Sequence, residues 1–574
     1  MSFYDDASLI VYPSGYKEDK IYSLKPTNGT GDLNFSRASS ATRVNAEGLI
    51  EGVRTNLYPR GSALLSTGWN SAGDILTAGQ TDPNGGTGAL RVQLSVGTSY
   101  IFQAFSGSST YNRSAYIKAA TAQTIRLAEP FTGATVACNL TTSYQRFDLS
   151  AIGGAGNFGI QFDNTNDNLS KDFTIAFIQI ETGEIATEYI PTTTAAVSVG
   201  MFANVPRIDY SNGCGSLLLE PQSTNLVTYS EDFSNADWSK GGSSVTSGFT
   251  SPDGTANAYK LVEDTSTGVH SLSAIYASSQ TGYKTWSICA KAGERNWFVI
   301  NAYYGGDYKT YFDLTNGVVG TSASGNTSTI TKLANGWYRC TVTRTSVTPH
   351  TIYNGYGVAE ADNDDSFSGD GTNGLYIFGA QLEASSYSTS YIPSNSGTTT
   401  TRIADAASKT GLSSVINDSE GVLYAEVSAF VGANTDRQIT INDGTTSDRL
   451  SIALLSNGTQ INFVIVAGGS VSVNKSVTIP TITSGTKIAF AYKANDFKIY
   501  ANGLLIASQT SGAVPTGMDT LGFDRGDGND KFYGNCQNVM VFPSALTDDE
   551  LADLTGAVHQ TFNSLATFYG YTIL

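Results

Sequence analysis

Thr224-Asn225-Leu226, followed by Trp238, Pro252 and Ala258, restates Thr55-Asn56-Leu57 with Trp69, Pro83 and Ala89. Every pair lies 169 residues apart (224 − 55), a constant offset that marks a duplicated unit. Ala115-Tyr116-Ile117-Lys118-Ala119 recurs with slight slippage as Ile288-Cys289-Ala290-Lys291-Ala292. The closing motif, Gln179-Ile180-Glu181 and then Tyr189-Ile190-Pro191, returns as Gln381-Leu382-Glu383 and Tyr391-Ile392-Pro393, 202 residues on (381 − 179). The second copy is therefore longer by 33 residues (202 − 169), and the excess falls around Gly305 to Asp370, where loops are expected.

Each copy is built of short alternating stretches, such as those opening at Ala89, Thr174 and Trp297, broken by Gly, Asn and Asp clusters. Period-two alternation with frequent turns predicts antiparallel β-sandwiches of jelly-roll size over 51–200 and 201–408. Ser/Thr-rich stretches from Thr192 to Gly200 and from Ser394 to Thr401 read as linkers. A third all-β unit spans 409–555, with Asn502-Gly503 as a hairpin turn. Near its end, Thr547 with Glu550 forms a capping box and Leu546 with Leu551 a staple, predicting a helix from Asp548 to Leu554. Residues 1–50 have little apolar periodicity and read as a leader without a core, and 556–574 as an aromatic-rich tail that packs against a partner.

The 574 residues carry 33 Lys and Arg against 50 Asp and Glu, a net charge of −17. Such an excess repels a phosphate backbone, so nucleic-acid binding is excluded. The first twenty residues lack the basic start and apolar core of a secretory signal, and no apolar run approaches the roughly 18–20 residues of a membrane span. Five Cys, scattered and free of CxxC pairs, predict free thiols in a chain folded in the cytosol.

Catalytic constellations are hard to find. Three His give no HxxxH pair, no phosphate-binding Gly loop appears, and no two carboxylates stand out as the pair that glycoside hydrolysis needs. The expectation is a non-enzymatic protein with no resident cofactor. The loop bearing Asp362, Asp364, Asp365 and Asp370 offers hard oxygen ligands, making Ca²⁺ its candidate ion, against a plain solvated turn. The Tyr303-Tyr304-Gly305-Gly306-Asp307-Tyr308 loop presents rings on which sugar C–H faces stack, with Asp307 to bind hydroxyls; the alternative is packing between subunits. Trp297 and Trp337 fall in alternating stretches and read as core.

The segment from Asp32 to Glu51 resembles the leader of structural proteins in tailed phages of gut Bacteroidetes, including crAss-like phages. The signature from Thr224 to Trp238, with Ser251 to Thr255, Asn335 to Cys340 and Gly379 to Glu383, is similar to phage head spike or head fibre domains. Phe532 to Leu551 resembles the closing strand and helix of laminin-G, concanavalin-like sandwiches. The resemblance implies a virion protein made in the bacterial cytoplasm, all-β, with tandem jelly rolls followed by a concanavalin-like sandwich. Residues 1–50 would attach it to capsid or tail proteins, the chain would form a homotrimer, and the sandwiches would bind host or mucosal glycans. A tail fibre acting as primary receptor-binding protein, or a glycan depolymerase, are the alternatives.

Overall fold

The computed structural model describes residues 2–556 except 72, 108–109, 155, 165–166, 168, 183–185, 431–434, 480–482 and 484. Alternation sets the layers. In Ala89–Leu94 the buried Leu90, Val92 and Leu94 are separated by Arg91 and Gln93, so one face of the strand meets the core. The first sandwich opposes two sheets: Ile75–Gln80, Ala89–Leu94, Lys171–Thr182, Thr110–Lys118 and Gln145–Ile152 face Asn70–Ser71, Tyr100–Ser106, Asn157–Asp163, Gln123–Ala128 and Thr135–Leu140. Leu90, Ile117, Ile125, Ile160 and Ile175 lie in the core between them.

The second copy repeats this strand order, with two strands long enough to serve both sheets. Thr267–Lys291 pairs with Ser239–Gly241 through its first half and with Gly374–Glu383 through its second, while Trp337–Ala359 runs beside it throughout. The excess residues form strands where loops were expected: Val318–Ser322 extends one edge and Thr327–Lys332 pairs with Trp337–Ala359.

The motifs that revealed the duplication are clasps. Asn225, fully buried, donates to the carbonyls of Ala380 and Ile392 and accepts from the amides of Val227 and Leu382. Asn56 does the same with Ile178, Ile190, Tyr58 and Ile180. Gln381 accepts from the Ile392 amide and donates to Glu383, as Gln179 does with Ile190 and Glu181. Each Asn thus ties the first strand of its sandwich to the last, satisfying backbone groups that would otherwise be stranded in the core. Both ends of each sandwich consequently emerge together: Arg54–Asn56 pairs with Val197–Val199, and Ser223–Asn225 with Thr400–Arg402.

The remaining segments build one discontinuous sandwich. Its first sheet joins Glu420–Ala429, Thr486–Lys493, Asp496–Ala501, Leu504–Gln509 and Gly534–Phe542 to Leu9–Val11, Ile208–Asp209 and Ser216–Leu219. The second joins Arg437–Asn442, Arg449–Leu454, Gln460–Ala467, Ser470–Thr478 and Thr520–Gly522 to Ala406–Lys409, Leu33–Ser36, Lys20–Ile21 and Tyr16–Lys17. Leu9, Val11, Ile21, Leu33 and Phe35 share a core with Leu217, Leu219, Leu423, Ile439 and Phe490. The expected free-standing leader over 1–50 is therefore corrected: its short apolar stretches complete a distant sandwich, into which the two jelly rolls are inserted. The helix forms at Asp548–Thr555, with the Thr547–Glu550 capping box in place, and packs Leu551 and Leu554 against Phe3, Ile10 and Phe542 on the outer face of the first sheet. The tail expected over 556–574 lies, beyond Gly556, outside the described residues.

Candidate functional site

Alternation in Trp297–Tyr304 sends Phe298, Ile300, Ala302 and Tyr304 into the core and leaves Val299, Asn301 and Tyr303 on the outer face. Three rungs cross this face. Ser271, Gly357, Val299 and Tyr311 form one; Ser273, Gly355, Asn301 and Lys309 the next; and Tyr303 pairs with Tyr353 in the third. The outcome is a groove of about 310 Å³ spanning four strands, roughly 14 Å across. Its floor is two glycines and two serines, with Gly355 half-buried and Gly357 buried between Ser271 and Val299. Tyr303 meets Tyr353 edge to face with ring centroids 4.6 Å apart.

The polar groups converge from one side. Asn301 Nδ2 donates to Asp307 Oδ1 at 2.6 Å, and Lys309 Nζ to Asp365 Oδ2 at 2.6 Å. Tyr311 donates its hydroxyl to Asp365 Oδ1 at 3.0 Å, and burial together with that carboxylate pushes its phenol well above the ordinary range, so it remains a donor. Hydroxyl-bonding groups along a ring-flanked groove suit a ligand with apolar faces and polar rims.

Of the expected binding residues, Tyr303 and the exposed Asp307 line this groove. Tyr304 does not: it is 2% exposed, packs against Trp286 and donates to the Gly282 carbonyl. Adjacent strand residues point to opposite faces, so Tyr303 and Tyr304 cannot both reach a ligand. Tyr308 sits against the core, with the Arg344 guanidinium stacked 3.2 Å from its ring centre. Trp337 is core as expected, whereas Trp297 is only partly buried, packing on Val299, Tyr311 and Ala359 at the end of the groove face.

The expected calcium ligands diverge. Asp362 accepts from the Thr321 amide and hydroxyl, Asp365 faces Lys309, and Asp370 caps the turn at Thr372 and Asn373. Among the described residues no three His, Cys, Asp or Glu side chains cluster as metal ligands. Asp365 thus belongs to the groove rather than to a cation site. Lys309, Asn301, Tyr353 and the Ser/Gly floor escape a reading by loops, although the alternation Tyr353, Gly355, Gly357 marks a side-chain-poor face.

A second cavity, of about 790 Å³, opens where residues 43–55 meet both jelly rolls, with Glu51, Arg54, Glu181, Glu231 and Asp253 in its wall. Glu231 Oε1 accepts from the Tyr391 hydroxyl at 2.8 Å and Oε2 from Asn395 Nδ2 at 2.8 Å. Enclosure by protein, then the nearby Asp253 charge, pushes the Glu231 carboxyl up to about 7. Because the folded value lies above the ordinary one, folding takes up a proton here, and the stabilisation present at acid pH is lost as pH rises through about 7. Glu231→Gln should therefore melt progressively higher relative to the parent between pH 5 and pH 8; a pH-independent difference in Tm would refute the assignment.

A family described as the Concanavalin A-like lectin/glucanases superfamily matches residues 427–552. No curated protein matches the chain. Among solved structures, the CBM40 of Ruminococcus gnavus IT-sialidase bound to α2,3-sialyllactose is 18% identical, covering 24% of this chain and 84% of its own, with a TM-score of 0.22. The CBM22-1–CBM22-2 tandem domain of Paenibacillus barcinonensis Xyn10C is 13% identical over 57% of this chain and 96% of its own, at 0.21. Mouse laminin α1 domains LG4-5 are 8% identical over 50% and 92%, at 0.17. The C-terminal unit is a laminin-G/concanavalin-like domain, its two sheets completed by strands from residues 9–36 and 208–219.

Proposed function

We propose that the protein is a non-enzymatic glycan-binding protein that serves as a fibre or spike of a phage particle, with the head fibre favoured. The observation that carries the binding reading is the groove of the second jelly roll, where a Ser/Gly floor lies between the Tyr303–Tyr353 pair and the Asn301, Asp307, Lys309 and Asp365 polar edge. The virion role rests on the resemblance of the leader and repeat signatures to phage structural proteins. Homotrimerisation and attachment to capsid or tail proteins belong to the same proposal, and a mass measurement by light scattering tests the first.

Replacing Tyr303 and Tyr353 together by Ala should weaken glycan binding roughly fivefold to a hundredfold, since a lost aromatic contact is worth ~0.5–1.5 kcal/mol for each ring. Both rings lie on the outer face, so Tm should change little. Isothermal titration against a glycan panel checks this. Unchanged affinity in a binder would move the site elsewhere.

Hydrolysis is the competing reading, favoured by one observation: Glu231, protonated near neutral pH, shares a cavity wall with Asp253. Both Glu231 oxygens are held by protein donors, which suits a structural tie between chain segments. Size-exclusion of polysaccharide after long incubation separates the two. Chains that shorten with the parent but not with Glu231→Gln would make the protein a depolymerase.

A further inference from the structure

The charge lining the groove restricts what it can hold. Lys309 is its one cation among the described lining residues, and Asp365 already neutralises it at 2.6 Å. Asp307, exposed at the rim, keeps its Oδ2 without a partner among the described residues, an acceptor for hydroxyl donors and a like charge to any carboxylate. Asp362 and Asp364 precede Asp365 in the same segment and add negative field, on a chain whose net charge is −17. Among the described residues no arginine lines the groove: Arg344 is spent on the Tyr308 ring, and Arg295 pairs with Glu263 and Glu360.

The floor favours the same class of ligand. Ser271 and Ser273 present hydroxyls, and the half-buried Gly355 lets a sugar ring approach the sheet, so the sugar meets dipoles and carboxylate acceptors rather than a counter-ion. Gly355 is already tight, a Cβ there falling 3.0 Å from Asn301 Cβ, so the floor admits no bulk without displacing its neighbour.

We propose that this groove selects uncharged, hydroxyl-rich glycans and rejects those bearing carboxylates, such as uronic or sialic acids; the inference rests on the groove being the glycan site. A sugar carboxylate held within a few ångströms of Asp307 without a free cation is disfavoured by like-charge repulsion, by roughly tenfold or more in affinity at low salt. The penalty shrinks as salt is raised.

The test titrates the full chain with neutral hexose tetrasaccharides and with uronate tetrasaccharides of the same linkage. The expected result is binding of at least one neutral chain about tenfold or more tighter than its uronate counterpart. Asp307→Asn, which removes the like charge, should raise uronate affinity by about tenfold, and Asp365→Asn, which releases Lys309, should raise it severalfold. Asp307→Asn, at the exposed rim, keeps the test alive if Asp365→Asn melts early. Uronates binding the parent as well as or better than neutral chains would overturn this inference and leave the glycan site standing. Absence of binding to either class would overturn the glycan site itself, and the selectivity with it.

Discussion

A chain lacking residues 1–36 should fail to form its C-terminal sandwich. Leu9, Val11, Ile21, Leu33 and Phe35 are buried in the main core of that sandwich, and Phe3 and Ile10 in the layer beneath the C-terminal helix. Burial of each such side chain contributes about 1.5–3 kcal/mol, so the gross loss rivals the whole net stability of a domain, ~5–15 kcal/mol. The truncation also strips partners from Gly534–Phe542 and Ala406–Lys409, exposing strand edges that invite intermolecular pairing. The jelly rolls, each with its own core, should survive. Limited proteolysis followed by mass spectrometry should show protected fragments from 54–200 and 223–402 and rapid loss of 409–556. A truncated chain melting at the parental Tm with intact near-UV dichroism would refute the woven sandwich.

The contrast with a free leader explains what the sequence could and could not reveal. Duplication, β character and the capped helix were legible because each is written in local pattern: a fixed offset, a period of two, a Thr547–Glu550 spacing. Leu9–Val11 pairs with residues more than 500 positions away, and a three-residue apolar stretch gives no periodicity to read. The clasp motif was visible as repetition while its purpose was not, since the carbonyls and amides that Asn225 binds come from the far end of the sandwich. Tyr303 and Asp307 line the groove while Tyr304 turns into the core, because alternation from Trp297 continues through Tyr304 and the stretch is strand rather than loop. The acidic segment suggested calcium by composition alone. Thr321 on the strand Val318–Ser322 binds Asp362, while Lys309 and Tyr311 on the strand Lys309–Asp313 bind Asp365, which disperses those carboxylates.

Asp405→Asn should be among the most destabilising single changes in the protein, costing about 3–5 kcal/mol, because it strands buried guanidinium groups. Asp405 is fully buried and accepts from Arg37 Nη1 at 3.1 Å, from Arg207 and from the Glu220 amide at 2.8 Å. Glu220, also buried, binds Arg207 at 2.6 Å and Arg402 at 2.9 Å. Burial alone would raise the Glu220 carboxyl, but Arg402 and Arg207 outweigh it and hold it down to about 2. Burial and then the Arg207 charge depress the Arg37 guanidinium to about 10, so this cluster of Arg37, Arg207 and Arg402 against two carboxylates has no spare anion. Its members come from the N-terminal segment, the connection after the first jelly roll and the connection after the second. Asp405 therefore fastens both insertions to the sandwich that carries them. Asp172→Asn offers the control: the Arg91–Asp172 pair has good geometry, yet its side chains are 44% and 47% exposed, and such a pair contributes only ~0–1 kcal/mol. Chemical denaturation should separate the two variants clearly, and proteolysis of Asp405→Asn should cut first at the 394–401 connection. Equal midpoints for both variants would show that the buried cluster relaxes without Asp405 and that the insertions are held by packing alone.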